Sequence, residues 1–245
     1  MKESRLRMGM PIVVEIVDAS VGGPDLDEVF DYFEHIDNVF STYKNESEIS
    51  RINRGELKLE NASRDVQTVF KLSEQTKIET DGYFDIWRNG RYDPLGLVKG
   101  WAIQQAAELL IKKGFKNFRV EAGGDMQIVG MNGNNEPWRI GIRDPLQTDR
   151  IIKIVRLTDR GIATSGTYLR GQHIYNPYHP AEEIKDVISI TVVGPNVYSA
   201  DRFATAAFAM GAEGINFIEK LPGFEGYQIN PQGIATLTSG FEQYL

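Results

Sequence analysis

Apolar residues along this chain fall either at a helical spacing or in short β-rich runs, and the two mark different elements. Leu26, Val29, Phe30, Phe33, Ile36 and Phe40 follow the three-and-four step of an amphipathic helix, with Asp25 and Glu28 at a capping-box spacing at its start. A helix with one buried face is therefore predicted over 26–40. A second helix is expected after Ser63, carrying Val66, Val69 and Phe70. A third should follow Lys99-Gly100 and run through Ala106, Leu109 and Leu110 to a stop at Gly114, and a fourth should begin near Ser199 and hold 200–210. Between them, β-rich runs at 12–17, 118–121, 126–129, 138–143, 152–157 and 188–193 are bounded by clusters of Gly, Asn and Pro. These strands arrive in pairs joined by turns more than in alternation with helices. That order predicts an α+β fold with a mixed, largely antiparallel sheet and packed helices. No repeat, low-complexity tract or linker divides the chain, so 1–245 reads as one domain with room for two lobes.

Composition narrows the chemistry. The 245 residues are 41% hydrophobic and can bury a sizeable core, while the formal net charge of −7 and the absence of any long basic run argue against nucleic acid as a partner. No cysteine is present. Disulfides, thiolate metal sites and thiol nucleophiles are thereby excluded, which fits a reducing compartment. The opening residues lack the long uncharged core of a signal peptide, and no stretch reaches the ~18 apolar residues of a membrane span. The chain as given reads as a soluble, cytoplasmic protein.

Five places could carry chemistry, each with a plainer reading beside it. The segment 93–100 sets glycines and Lys99 where a loop enters a helix, which suits either phosphate oxygens or a simple turn with a solvated lysine. Gly123-Gly124-Asp125 is either a left-handed hairpin turn or an anion-cradling nest. Thr164, Ser165 and Thr167 gather hydroxyls beside Gly166, fit for phosphate, for ribose or for capping a turn. Asp201 and Thr205 are four apart near a helix start; they form an oxygen-only set for a hard cation such as Mg²⁺, or else answer the helix dipole and pack inward behind a Ser199 cap. His173 is either a general base or a structural histidine.

The order of these motifs is more specific than any one of them. Met8-Gly9, Phe40-Ser41-Thr42-Tyr43 leading to Ser47-Glu48-Ile49-Ser50-Arg51-Ile52-Asn53, Phe84-Asp85-Ile86, the 93–100 segment, Gly123-Gly124-Asp125, Ala163-Thr164-Ser165-Gly166, His173-Ile174 and the Asp201 to Thr205 helix together resemble the FAD:protein FMN transferase family, also called ApbE. The resemblance implies an α+β fold in which Mg²⁺ grips the FAD pyrophosphate. A threonine or serine hydroxyl of a target flavoprotein attacks the FMN phosphorus, AMP leaves, and FMN stays attached through a phosphoester. It further implies that the Gly96 carbonyl, Asp201 and Thr205 hold the metal and that His173 acts as base. FAD contacts are implied for Met8, Tyr43, Phe84, Asp85, Ile86, Asp93, Lys99 and Ile184, with Gly123, Gly124, Asp125, Thr164, Ser165 and Gly166 lining the pocket. An FAD pyrophosphatase would use the same site to give FMN and AMP, and a non-catalytic FAD-binding module would bind without metal. The chain departs from the family pattern at Asn176-Pro177-Tyr178-His179-Pro180, at the short segment 87–92, and in lacking a lipoprotein signal, which points to a cytoplasmic flavoprotein as acceptor.

Overall fold

In a computed structural model that describes residues 1–167 and 174–245, the chain runs β1 (Lys2–Arg7), β2 (Met10–Ile16), α1 (Gly23–Phe40), α2 (Glu48–Asn53), α3 (Arg64–Glu79), β3 (Trp87–Arg88), β4 (Arg91–Tyr92), α4 (Leu95–Lys112), β5 (Phe118–Ala122) and β6 (Asp125–Val129). It continues with β7 (Trp138–Arg143), β8 (Ile151–Leu157), β9 (Arg160–Gly166), β10 (Ser189–Gly194), α5 (Val197–Ala209), α6 (Gly214–Glu219), β11 (Glu225–Ile229) and β12 (Ala235–Leu237). Eight strands form one sheet in the order β1-β2-β5-β6-β9-β10-β11-β12, with antiparallel pairing throughout. The α+β expectation with a largely antiparallel sheet is met. Four helices and the small β3–β4 hairpin are inserted between the sheet neighbours β2 and β5, and a second hairpin, β7–β8, is inserted between β6 and β9.

Burial follows from the two periodicities. Ile12, Val14 and Ile16 alternate inward on β2 and meet the buried stripe of α1, together with α3 and α4. Trp138, Ile140 and Ile142 alternate inward on β7 and cover the sheet from the side of β6, β9 and β11. β10 is buried on both faces, because Ile190 and Val192 turn toward α5 and α6 while Val193 joins the β7–β8 core. Among the described residues, no helix is long and apolar enough to cross a membrane.

Several local expectations shift. The first helix begins at Gly23, and Asp25 reaches back to the Gly22 amide at 2.9 Å, so Asp25 closes the first turn instead of preceding the helix. Asn196, not Ser199, caps α5: its Oδ1 accepts from the Ser199 amide at 2.8 Å, while Gln127 Oε1 on β6 accepts from the Val197 amide at 2.8 Å. Residues 163–166, expected as a hydroxyl-bearing turn, are strand, since they pair with β10 across their backbone, while β6 pairs with 160–162 and reaches Thr164 only through the Asp125 side chain. Gly96, Lys99 and Gly100 lie inside the first turns of α4 and not ahead of it. The Gly123-Gly124 pair does form a left-handed turn, with φ of 59° and 97°, joining β5 to β6.

Gly100 explains why α4 and α5 meet where they do. A Cβ there would stand 2.6 Å from Asp201 Cβ and 3.0 Å from the Val197 carbonyl oxygen, so only glycine lets the two helices approach this closely. Gly100→Ala should cost about 1–3 kcal/mol by overpacking. Gly133→Ala, where a Cβ meets nothing within 4 Å, should stay within about 0.5 kcal/mol of wild type. Urea unfolding of the two variants checks the contrast.

Candidate active site

The ends of β6, β9, α4 and α5, the segment after α1 and the β3–β4 hairpin converge on one cavity of about 680 Å³. That volume falls in the range of small-molecule and cofactor sites. Its inner wall is built by α4 and α5. Thr205 Oγ1 donates to the Gly96 carbonyl at 3.3 Å and lies 3.5 Å from Ser165 Oγ, which gathers three oxygens from three elements. Beside them, Asp201 is 3% exposed; its Oδ2 accepts from the Gly100 amide at 2.8 Å and its Oδ1 from Lys99 Nζ at 2.9 Å. Lys99 also pairs with Asp125, which is 2% exposed and whose Oδ1 accepts from the Thr164 amide at 2.9 Å. One ammonium thus ties α4 to α5 and to β6, and Asp125 ties β6 to β9.

This wall offers oxygen ligands only, a set that suits a hard divalent cation. The 3.3 Å between Thr205 Oγ1 and the Gly96 carbonyl is close to the separation of about 3 Å expected for neighbouring ligands of one octahedral Mg²⁺. The described residues contain no cluster of three His, Cys, Asp or Glu side chains able to hold a metal. The donors here are one carboxylate, one hydroxyl and one carbonyl. Charge argues in the same direction. The described lining residues include five aspartates (Asp37, Asp85, Asp93, Asp125, Asp201) against Lys44, Arg88 and Lys99, formally two negative charges in excess. An anionic ligand entering such a cavity needs a cation with it.

The outer wall is the segment from Phe84 to Asp93. Phe84 and Ile86 are buried and line the cavity from the core. Asp85 accepts from Lys77 Nζ at 2.7 Å, which raises the Lys77 ammonium above its ordinary pKa, and Asp93 caps the entry to α4 by accepting from the Leu95 amide at 3.3 Å. Asn53 acts as a surrogate strand for this segment: its Nδ2 donates to the Tyr92 carbonyl at 2.9 Å and its Oδ1 accepts from the Tyr92 amide at 2.7 Å. Tyr175 closes the wall, donating its hydroxyl to the carbonyls of Asp85 and Trp87 at 3.2 and 3.1 Å while the Arg88 guanidinium lies 4.3 Å from its ring centroid. Burial, helped by Asp85, pushes the Tyr175 phenol above its usual pKa, so it remains a donor at neutral pH.

Of the residues singled out from sequence, the cavity brings together Met8, Tyr43, Phe84, Asp85, Ile86, Asp93, Gly96, Lys99, Gly123, Asp125, Thr164, Ser165, Gly166, Asp201 and Thr205. Met8 holds a left-handed turn at φ 51°, and Tyr43 stands at the rim, 92% exposed. Gly124 completes the β5–β6 turn without lining the cavity, and Ile184 packs against the core under α5 and α6 instead. His173 lies outside the described residues. Arg88, Tyr175 and Asn53 were not anticipated as site residues. The signal for the first was present: Asn89-Gly90 between Trp87 and Tyr92 is the strongest short-range hairpin mark, and a hairpin there sets Arg88 beside the cavity.

The model of the ApbE family matches residues 8–89 and 87–227. The FAD:protein FMN transferase of Vibrio cholerae serotype O1 is 32% identical over 157 residues, covering 60% of this chain and 46% of that protein. The enzyme of the same name from Escherichia coli K12 is 28% identical over 144 residues, covering 55% and 41%. The chain thus aligns with less than half the length of these curated relatives. Among solved structures, the flavin transferase ApbE from Vibrio cholerae superposes with a TM-score of 0.86 at 23% identity, covering 100% of this chain and 99% of that one. The ApbE protein from Thermotoga maritima gives 0.87 at 21%, covering 100% and 98%. These two show the fold.

The Asn53 clamp makes a measurable demand. Asn53→Ala should lose about 1–3 kcal/mol of stability, because two hydrogen bonds to the Tyr92 backbone vanish together. Asn53→Asp should recover part of the loss through the retained acceptor. Urea unfolding at pH 7 compares them.

Proposed function

The chain belongs to the ApbE family, and we propose that it transfers FMN from FAD to a threonine or serine hydroxyl of a target flavoprotein, releasing AMP. The observation that carries this reading is the gathering of the Gly96 carbonyl, Asp201, Thr205 and Lys99 on one wall of a cavity large enough for a nucleotide. The names of the relatives support the same substrate.

In this reading the Gly96 carbonyl, Asp201 Oδ1 and Thr205 Oγ1 would hold Mg²⁺, and the cation would supply neutralisation of diphosphate charge. The excess of aspartates in the cavity makes that neutralisation necessary. Lys99 adds a cation at the same wall, and the buried α4–α5 contact keeps these donors fixed while charge develops on the phosphate. Phe84, Ile86 and the Tyr175–Arg88 pair form apolar and planar surfaces suited to the ring systems of FAD, with Tyr43 over the mouth. The acceptor oxygen forms a bond to the FMN phosphorus as the bond from that phosphorus to the bridging oxygen breaks. The electron pair leaves with AMP, and the hydroxyl proton goes to a base. His173 is the base of this proposal. The cavity is lined at Gly166 and again at Ile174, and His173 falls in sequence between them.

Incubation with FAD, Mg²⁺ and a candidate acceptor, followed by mass spectrometry, should show an acceptor mass gain equal to one FMN phosphoester, with matching AMP release and no gain in EDTA. Free FMN and AMP without acceptor modification would make the protein a pyrophosphatase, and FAD left intact with every acceptor tried would leave a binding module. Asp201→Ala should lower transfer by roughly a hundredfold or more. His173→Ala should slow it by about a hundredfold at unchanged FAD affinity. Wild-type rates in the first variant would remove the metal assignment, and in the second the base.

A further inference from the structure

The oxygens of Asp125 and Asp201 are allocated in a way that bears on how a cation could enter. Asp125 Oδ1 is taken by the Thr164 amide and Asp201 Oδ2 by the Gly100 amide, at 2.9 and 2.8 Å. The remaining oxygens, Asp125 Oδ2 and Asp201 Oδ1, both face Lys99 Nζ. The oxygen that Asp201 has to offer a metal is therefore the one its own lysine occupies. Both carboxylates are almost fully buried, and the lysine side chain is 15% exposed on the cavity wall. Buried charges of like sign this close require a counter-charge at all times.

We propose that Lys99 is an exchangeable internal counter-cation. It neutralises Asp201 while no divalent ion is bound. When Asp201 gives Oδ1 to the ion, Lys99 keeps Asp125 as its anchor and turns its ammonium into the cavity, toward a diphosphate. The inference rests on the metal-dependent reading of the site given above. It adds that metal and diphosphate are coupled through one side chain. An ion on Asp201 makes Lys99 available to the diphosphate, and a diphosphate that draws Lys99 away exposes Asp201 to the ion. By linkage, each raises the affinity of the other by the same factor.

A residue that merely bound phosphate would leave the affinity for metal alone unchanged when removed. Exchange predicts a gain. Calorimetric titration of Mg²⁺ into nucleotide-free protein should therefore show Lys99→Met binding the ion roughly tenfold more tightly than wild type. Without metal, the variant should unfold at a lower temperature than wild type, and Mg²⁺ should raise its midpoint by more. Lys99→Met/Asp201→Asn should lose this response, identifying the carboxylate concerned. If Lys99→Met does not fold without metal, Lys99→Met/Asp125→Asn removes the like-charge contact, and it should still bind Mg²⁺ more tightly than Asp125→Asn alone. Equal or weaker Mg²⁺ affinity in Lys99→Met than in wild type, or in Lys99→Met/Asp125→Asn than in Asp125→Asn, overturns the exchange. Because no FAD or acceptor is present, the two readings separate. FMN transfer by wild type without the affinity gain removes only the exchange, and the affinity gain without FMN transfer removes only the transferase.

Discussion

The close contact between α4 and α5 at Gly100 and Asp201 is the constraint on which the rest of the site depends. It brings a helix amide, a carboxylate and a lysine within hydrogen-bond distance inside the core. It also sets the carbonyl of Gly96, one turn earlier on α4, against Thr205, one turn later on α5. A side chain at residue 100 would push the helices apart and separate both pairs together. Asp125 then carries the contact into the sheet, since it meets Lys99 on one oxygen and the β9 backbone on the other. Two helices and two strands are thereby held in register by a handful of polar groups, most of them nearly dry, where a hydrogen bond left unmade is costly.

Topology explains how such distant parts reach one cavity. The helical insertion between β2 and β5 leaves the sheet and returns to its neighbouring strand, so α4 is delivered back beside β5 and β6. The same insertion contributes the outer wall, where a two-residue turn at Asn89-Gly90 keeps the hairpin short. The Asn53 side chain and the Tyr175 hydroxyl hold that short hairpin from segments that precede and follow it in the chain. Segments 87–92 and 176–180 are neighbours: Tyr175 bonds the first and directly precedes the second, and the Tyr178 ring meets that of Tyr83 edge to face with centroids 5.0 Å apart.

Charge is distributed with the same economy. Asp37 is paired with Lys44 and Asp85 with Lys77, so the acidic side chains around the rim are largely answered locally. The inner pair of aspartates shares Lys99. A cavity arranged this way is stable without ligand yet formally negative, and it favours a cation and an anion arriving as a neutral combination over either one alone.

The amphipathic stripe of α1, the strands β2 and β7, and the Gly123-Gly124 turn were legible in sequence, because each is set by residues a few positions apart and by local backbone preference. The order of motifs was legible too, and it pointed to the residues that the fold gathers around the cavity. Tertiary structure decided what local rules cannot. Residues 163–166 are strand because β10 pairs with them, and Lys99 lies inside α4, whose Gly100 packs on Asp201. Which carboxylate oxygen faces which donor was likewise undetermined, since Lys99 and Asp201 stand 102 residues apart. Periodicity and turn chemistry act through neighbours along the chain, whereas partners in a buried charge cluster are chosen by packing, and packing exists only once the chain has folded.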